Sequence, residues 1–178
     1  MKKNRKFTLK LVYSAVCLAL AVVLPFLTAS NMALGNMLCL MHIPVLLCGF
    51  LCGWPWGLAV GIASPLLRHL IVGMPPFPTC IAMACELGVY GFTAGFLYKI
   101  FPKKAGFIYL ALGLSMLAGR VVNGAANLII TGVTGSEYTW STFLTASFVT
   151  ALPGIGIQIV LIPLLVLALK KAKLVLND

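Results

Sequence analysis

The chain has 178 residues, 61% of them hydrophobic and only 9% charged, and a mean hydropathy of +1.07; soluble domains carry about 25% charged residues, so a soluble globular fold is excluded. The formal charge of +10 does not mark a nucleic-acid binder. Apart from Arg68 and Arg120, the basic residues flank apolar runs in three clusters, Lys2, Lys3, Arg5, Lys6 and Lys10, then Lys99, Lys103 and Lys104, then Lys170, Lys171 and Lys173, as cytoplasmic membrane loops do.

A transmembrane helix takes about 20 mostly apolar residues, so this length holds five to seven spans and no soluble catalytic domain. The first apolar run, Leu11 to Leu27, follows its basic opening as a secretory signal would. It is longer than a signal core and many apolar segments follow, so a first helix is expected over residues 8–29, with Pro25 bending its outer end. Ala15 and Ala19 stand four apart, a spacing that lets another helix approach closely, from within the chain or from a partner. Ser30 to Leu40, with Asn31, Gly35 and Asn36, is too apolar for a solvated loop and too broken for a span, and suits a lid.

The second helix is expected over residues 36–53, roughly 27 Å and just long enough to cross. Trp54-Pro55-Trp56 predicts a tight turn with tryptophans at an interface. The third helix, 56–72, stops at Gly73-Met74-Pro75-Pro76-Phe77-Pro78, which cannot continue a helix. Further helices are expected over 79–98, 107–130 and 140–169, the last with an interruption at Pro153-Gly154. The expected fold is thus all-α, a single membrane domain of six transmembrane helices with both termini cytoplasmic. Every basic cluster then lies on one side, and the outer loops, near 30–40, 73–78 and 131–139, carry no lysine or arginine. No internal repeat is visible, and the six cysteines lack zinc-type spacing and read as small buried hydrophobes.

This topology gathers the intramembrane polar groups in the outer half of the bilayer. His42 and the adjacent Arg68 and His69 lie near the outer ends of helices 2 and 3, Glu86 roughly 12 Å in on helix 4, and Arg120 roughly 15 to 18 Å in on helix 5. Thr79, Met83, Glu86 and Tyr90 share one helical face, as do Met116, Arg120, Asn123 and Asn127, while Ser147, Thr150, Gly154 and Gln158 line a stripe on helix 6. Lipid cannot satisfy such groups, so they face one another or a water-accessible cavity. Glu86 could simply neutralise Arg120 or Arg68 in a packing ion pair. Two arginines and two histidines nevertheless oppose one intramembrane carboxylate, and an unpaired buried cation is costly unless an anion reaches it. An outward-facing pocket for a small anionic or strongly polar ligand follows, with arginine suited to gripping a carboxylate.

Catalysis is disfavoured. His42, His69 and Glu86 could in principle ligate a metal, but there is no His-Glu-x-x-His pair and Arg68 would repel a cation from His69. No metal or cofactor is expected, and with no Walker-type loop any ATP use belongs to a partner.

The string Met41-His42-Ile43-Pro44-Val45-Leu46-Leu47, together with Pro65-Leu66-Leu67-Arg68, Gly73-Met74-Pro75-Pro76 and the Glu-x-x-x-Tyr pair Glu86 and Tyr90, resembles the substrate-binding S components of energy-coupling factor (ECF) transporters. The resemblance covers nearly the whole chain. It implies a vitamin-binding subunit of the cell membrane that has no transport power alone, associates with a transmembrane coupling subunit and two cytoplasmic ATPases, and reorients in the bilayer to deliver its ligand. Ala15 and Ala19 match the family's alanine motif for docking to the coupling subunit, and residues 35–40 and 73–78 match its outer lids. The Met-His-Ile-Pro pattern looks most like pantothenate-type members, with other carboxylate vitamins or a queuosine-type precursor as further choices. The residues expected to meet the ligand are His42, Arg68, His69, Glu86, Tyr90, Arg120, Asn123 and Asn127. The competing expectation is a stand-alone transporter or channel driven by an ion gradient, for which Glu86 is the one deep carboxylate able to carry a proton.

Overall fold

A backbone in lipid must satisfy its own hydrogen bonds, and the apolar runs accordingly form helices in the computed structural model, which describes residues 2–28, 37–134, 145 and 150–177. The helices are α1 (Lys2–Val23), continued by a 3-10 turn (Leu24–Thr28), α2 (His42–Cys52), α3 (Trp54–Val72), α4 (Phe77–Ile100), α5 (Ala105–Thr134) and α6 (Leu152–Lys171). No strand occurs among the described residues. Among the described residues, five helices are long and apolar enough to cross a membrane, and α2 is a shorter apolar one.

Several boundaries depart from expectation for local reasons. The second helix was expected to span the bilayer from residue 36, but α2 has 11 residues, about 16 Å against a hydrocarbon core of about 30 Å. It is cut short by a turn at Cys39–Met41, where Cys39 adopts φ 48°, a left-handed conformation that ends helical hydrogen bonding. Trp54-Pro55-Trp56 is not a turn but the first turn of α3, with Pro55 preset for that position. The reversal between α2 and α3 falls on Gly53 alone, at φ 99°. Pro153 lies in the first turn of α6. Lysines and arginines are good helix formers, so the basic opening joins α1, whose α-helical part ends just before Pro25. Residues 30–36 of the lid expected over Ser30 to Leu40, residues 135–139 of the outer loop expected over 131–139, Ser147 and most of the expected start of the sixth helix lie outside the described residues, while residues 131–134 belong to α5.

Helix α4 packs against α2, α3 and α5, while α1 lies on α2 and α3, and α6 touches α2 and α5. Glycines set the closest approaches. A Cβ on Gly57 or Gly91 would run into the other's backbone, and one on Gly61 would meet the Leu87 carbonyl, so small residues let these helices touch main chain to main chain. Phe50, Leu46, Leu87, Tyr90, Ile108, Leu112 and Ile162 fill the centre. Cys17, Cys48, Cys52 and Cys80 are buried as expected, whereas Cys85 is exposed. The three basic clusters meet at one end of the bundle. Lys10, Lys99 and Lys103 line one cavity there, and Lys170 Nζ donates to the Lys103 carbonyl at 2.7 Å.

Candidate ligand site in the helix bundle

The two polar stripes read from α4 and α5 face each other in the upper bundle, away from the basic end. Glu86, on α4, is 3% exposed, and Arg120, on α5, 8%. Glu86 Oε1 stands 3.3 Å from Arg120 Nη1 and 3.6 Å from His42 Nε2 at the start of α2. The other carboxylate oxygen accepts a 2.7 Å hydrogen bond from Asn123 Nδ2. One turn further on, Asn127 Nδ2 donates to the Asn123 carbonyl at 2.9 Å and to its Oδ1 at 2.8 Å, which fixes the Asn123 amide in its donating orientation.

Tyr90 is fully buried one turn below Glu86. Its ring meets His42 edge-on with centroids 5.1 Å apart and lies against Gly119, where a Cβ would come within 2.8 Å of Tyr90 Cε2. The Tyr90 hydroxyl has no hydrogen-bond partner among the described residues.

Two further residues belong to this cluster. Cys39 Sγ lies 3.9 Å from Arg120 Nη2, and the Cys39 carbonyl accepts from Gln158 Nε2 of α6 at 3.4 Å and from the His42 amide at 3.0 Å. The turn before α2 therefore covers the Glu86 cluster and joins it to α6. Gly154 makes room for it, because a Cβ there would meet the Met37 carbonyl. Gln158 stood on the stripe expected for helix 6, but Cys39 read as a small hydrophobe, and its placement depends on a left-handed backbone that no sequence pattern announces.

Arg68 and His69 do not join the cluster, so the cation excess expected at one pocket does not converge. Both sit in the last turns of α3. The Arg68 guanidinium lies 5.8 Å from the Phe26 ring centroid. His69 Nδ1 is 2.7 Å from the Pro75 carbonyl; a carbonyl only accepts, so Nδ1 carries the proton. Its ring packs 5.8 Å from that of Phe77. These two residues tie the end of α1 and the loop at 73–78 to α3. Thr79, also on the expected α4 stripe, is exposed.

Six buried polar side-chain atoms lack a hydrogen-bond partner among the described residues, and all belong to this assembly: His42 Nδ1 and Nε2, Glu86 Oε1, Tyr90 Oη, Arg120 Nε and Gln158 Oε1. An unmet buried polar group costs about 1–3 kcal/mol, so complementary groups brought to this set of donors and acceptors would be stabilising. Such a set can take a small polar molecule that presents complementary groups.

On α1, Ala15 and Ala19 are exposed, while Ser14, Cys17 and Ala21 face the bundle. No curated protein and no solved structure matches the chain. The family model for the ECF transporter substrate-specific component matches residues 9–166. With that match over most of its length, this membrane protein belongs to the substrate-specific components of ECF transporters, which are transport subunits and not enzymes.

Proposed function

We propose that the protein captures a small water-soluble vitamin or vitamin precursor, pantothenate first among the candidates, in the pocket built around Glu86 and Arg120. The observation that carries this reading is the convergence, in a buried place, of polar atoms from His42, Glu86, Tyr90, Arg120 and Gln158 that have no hydrogen-bond partner among the described residues. Asn123 and Asn127 extend the polar row along α5, and at the end of α3 His69 meets the loop at 73–78 and Arg68 meets Phe26, so that the two would hold a gate. Pantothenate, with a carboxylate, an amide and two hydroxyls, offers both donors and acceptors to such a mixed set. The Met41-His42-Ile43-Pro44 string supports the same choice.

In this reading the short α2 and the turn before it complete a six-segment bundle with both termini in the cytoplasm, where the basic clusters belong. Ala15 and Ala19 dock to a transmembrane coupling subunit, two ATPases drive the cycle, and the bundle reorients in the bilayer to release its ligand inside. The stand-alone alternative has less support: Glu86 already contacts Arg120 and accepts from Asn123, which ties the carboxylate to the scaffold and leaves it poorly placed to shuttle protons.

The test is to purify the full chain, identify by mass spectrometry what stays bound, and titrate pantothenate calorimetrically. Tight pantothenate binding that is lost in Arg120→Ala and Asn123→Ala supports the proposal. Binding of another vitamin in its place overturns the choice of pantothenate. Uptake by the isolated protein that collapses with the proton gradient overturns the ECF-driven mechanism.

A further inference from the structure

The fixed charges of the Glu86 cluster are one negative and one positive, Glu86 and Arg120, 3.3 Å apart. The chain's other arginines and lysines are placed elsewhere: Arg68 stands over Phe26, and the three basic clusters lie at the opposite end of the bundle. The stretches 29–36, 135–144 and 146–149, outside the described residues, contain no lysine, arginine or histidine and one acid, Glu137. They therefore bring no cation to the cluster. A ligand carboxylate seated on Arg120 would have to share that one guanidinium with Glu86 in a buried place, where like charges disfavour each other strongly.

The hydrogen-bonding character of the cluster points the same way. Gln158, 1% exposed, turns its Nε2 to the Cys39 carbonyl; a carbonyl only accepts, so the amide is fixed with Oε1 as a remaining acceptor. Glu86 gives one oxygen to Asn123 and keeps Oε1 as a second acceptor. Both oxygens lack a hydrogen-bond partner among the described residues, as does the Arg120 Nε donor. Tyr90 Oη and the His42 ring, fully buried and 5% exposed, can each act as donor or acceptor. Two fixed acceptors thus stand with one fixed donor and two groups that adapt. A carboxylate is an acceptor only and would turn lone pairs toward Glu86 Oε1 and Gln158 Oε1. A hydroxyl or an amide brings an O–H or N–H for these oxygens together with an oxygen for Arg120.

We infer that the Glu86 cluster recognises an uncharged hydroxyl- or amide-bearing part of its ligand, and that a carboxylate on the same ligand stays outside it. This rests on the reading of the cluster as the ligand site and names the chemistry selected there. For pantothenate, the diol and the amide enter the cluster and the charged end does not. The arginine that a count of charges would assign to an anion serves instead to neutralise Glu86 and to donate to a neutral oxygen.

The experiment titrates the purified full chain calorimetrically with three pairs: pantothenate and panthenol, in which a hydroxymethyl replaces the carboxylate, nicotinate and nicotinamide, and biotin and its primary amide. In the pair that binds, the uncharged member should match the carboxylate to within about tenfold. Pantothenate methylated on both hydroxyls keeps its charge but loses two donors, and should bind at least about a hundredfold more weakly than pantothenate. Tyr90→Phe removes a hydroxyl that no described residue bonds, so the fold should stand; it should weaken both members of the pair alike, by about fivefold. A carboxylate preferred by more than about tenfold, as a charge-assisted pair with Arg120 would give, overturns this inference and leaves the cluster as the ligand site. So does full affinity of the methylated compound. Nicotinamide or biotin amide binding in place of the pantothenate pair supports the inference while overturning the choice of pantothenate. Binding of none of the six compounds overturns the vitamin reading of the cluster and this inference with it.

Discussion

Glu86 Oε1 and Arg120 Nη1 stand 3.3 Å apart across the α4–α5 contact, yet that oxygen makes no hydrogen bond of good geometry. The pair is close enough for strong attraction in a medium of low dielectric but is imperfectly seated. Removing one member of a buried pair strands the other charge, at a cost of about 3–5 kcal/mol, whereas replacing both removes the uncompensated charge. Glu86→Gln and Arg120→Gln should therefore each lower the unfolding temperature in detergent sharply, and the double variant should recover much of the loss. Single variants as stable as the parent would show that the two charges do not depend on each other.

Tyr90 is positioned by a missing side chain. The Cβ of Gly119→Ala would lie 2.8 Å from Tyr90 Cε2 and push the ring toward His42, which it already touches edge-on. Overpacking of this kind costs about 1–3 kcal/mol, and it falls on a residue of the proposed pocket, so ligand affinity should drop roughly tenfold or more. Gly113→Ala on the same helix meets nothing within 4 Å and should be neutral or slightly stabilising, because alanine is the better helix former. Calorimetric titration of the two variants side by side checks this.

The stripe on α4 and α5 was legible because helical period alone brings Glu86 and Tyr90 to one face, and Arg120, Asn123 and Asn127 to another. Their meeting required only that lipid could not satisfy them. Arg68 and His69 lie near the end of α3, as their place in the sequence says, but what they touch there was not legible. Charge count says how many cations a site could have, but position along α3 puts these two near its end, where Phe26 and the Pro75 carbonyl occupy them. The short α2 was equally hidden. Residues 36–53 are apolar enough for a span, and only the left-handed turn at Cys39 separates a crossing helix from a half-length one. Trp54-Pro55 failed differently: proline marks a boundary, but whether it ends one helix or opens the next is decided by its neighbour, and Gly53 takes the reversal.

The α3–α4 crossing rests on bare backbone. A Cβ on Gly91 would meet the Gly57 carbonyl, and one on Gly57 would meet the Gly91 carbonyl, neither of which can move without displacing a helix. Gly91→Val should abolish folding or lower the unfolding temperature by more than any exposed substitution, since overpacking costs about 1–3 kcal/mol, and more where the obstacle is backbone that cannot shift. Size-exclusion profiles and thermal unfolding in detergent read the effect. A well-behaved, fully stable Gly91→Val would mean that α3 and α4 are not packed this closely.

The outward face of α1 gives the cleanest separation of binding from assembly. Ala15 and Ala19 point away from the bundle, while Ser14, Cys17 and Ala21 point into it, so a leucine at either alanine meets none of the described helices. Surface changes of this kind usually alter stability by no more than about 0.5 kcal/mol. A partner helix that approaches over small residues is, however, held off by added bulk. Ala15→Leu/Ala19→Leu should therefore leave the unfolding temperature and ligand affinity of the purified protein as they were, and should abolish copurification with the coupling subunit and ATP-dependent uptake in cells. Loss of ligand binding with assembly intact would place this face in internal packing and remove it from the docking surface.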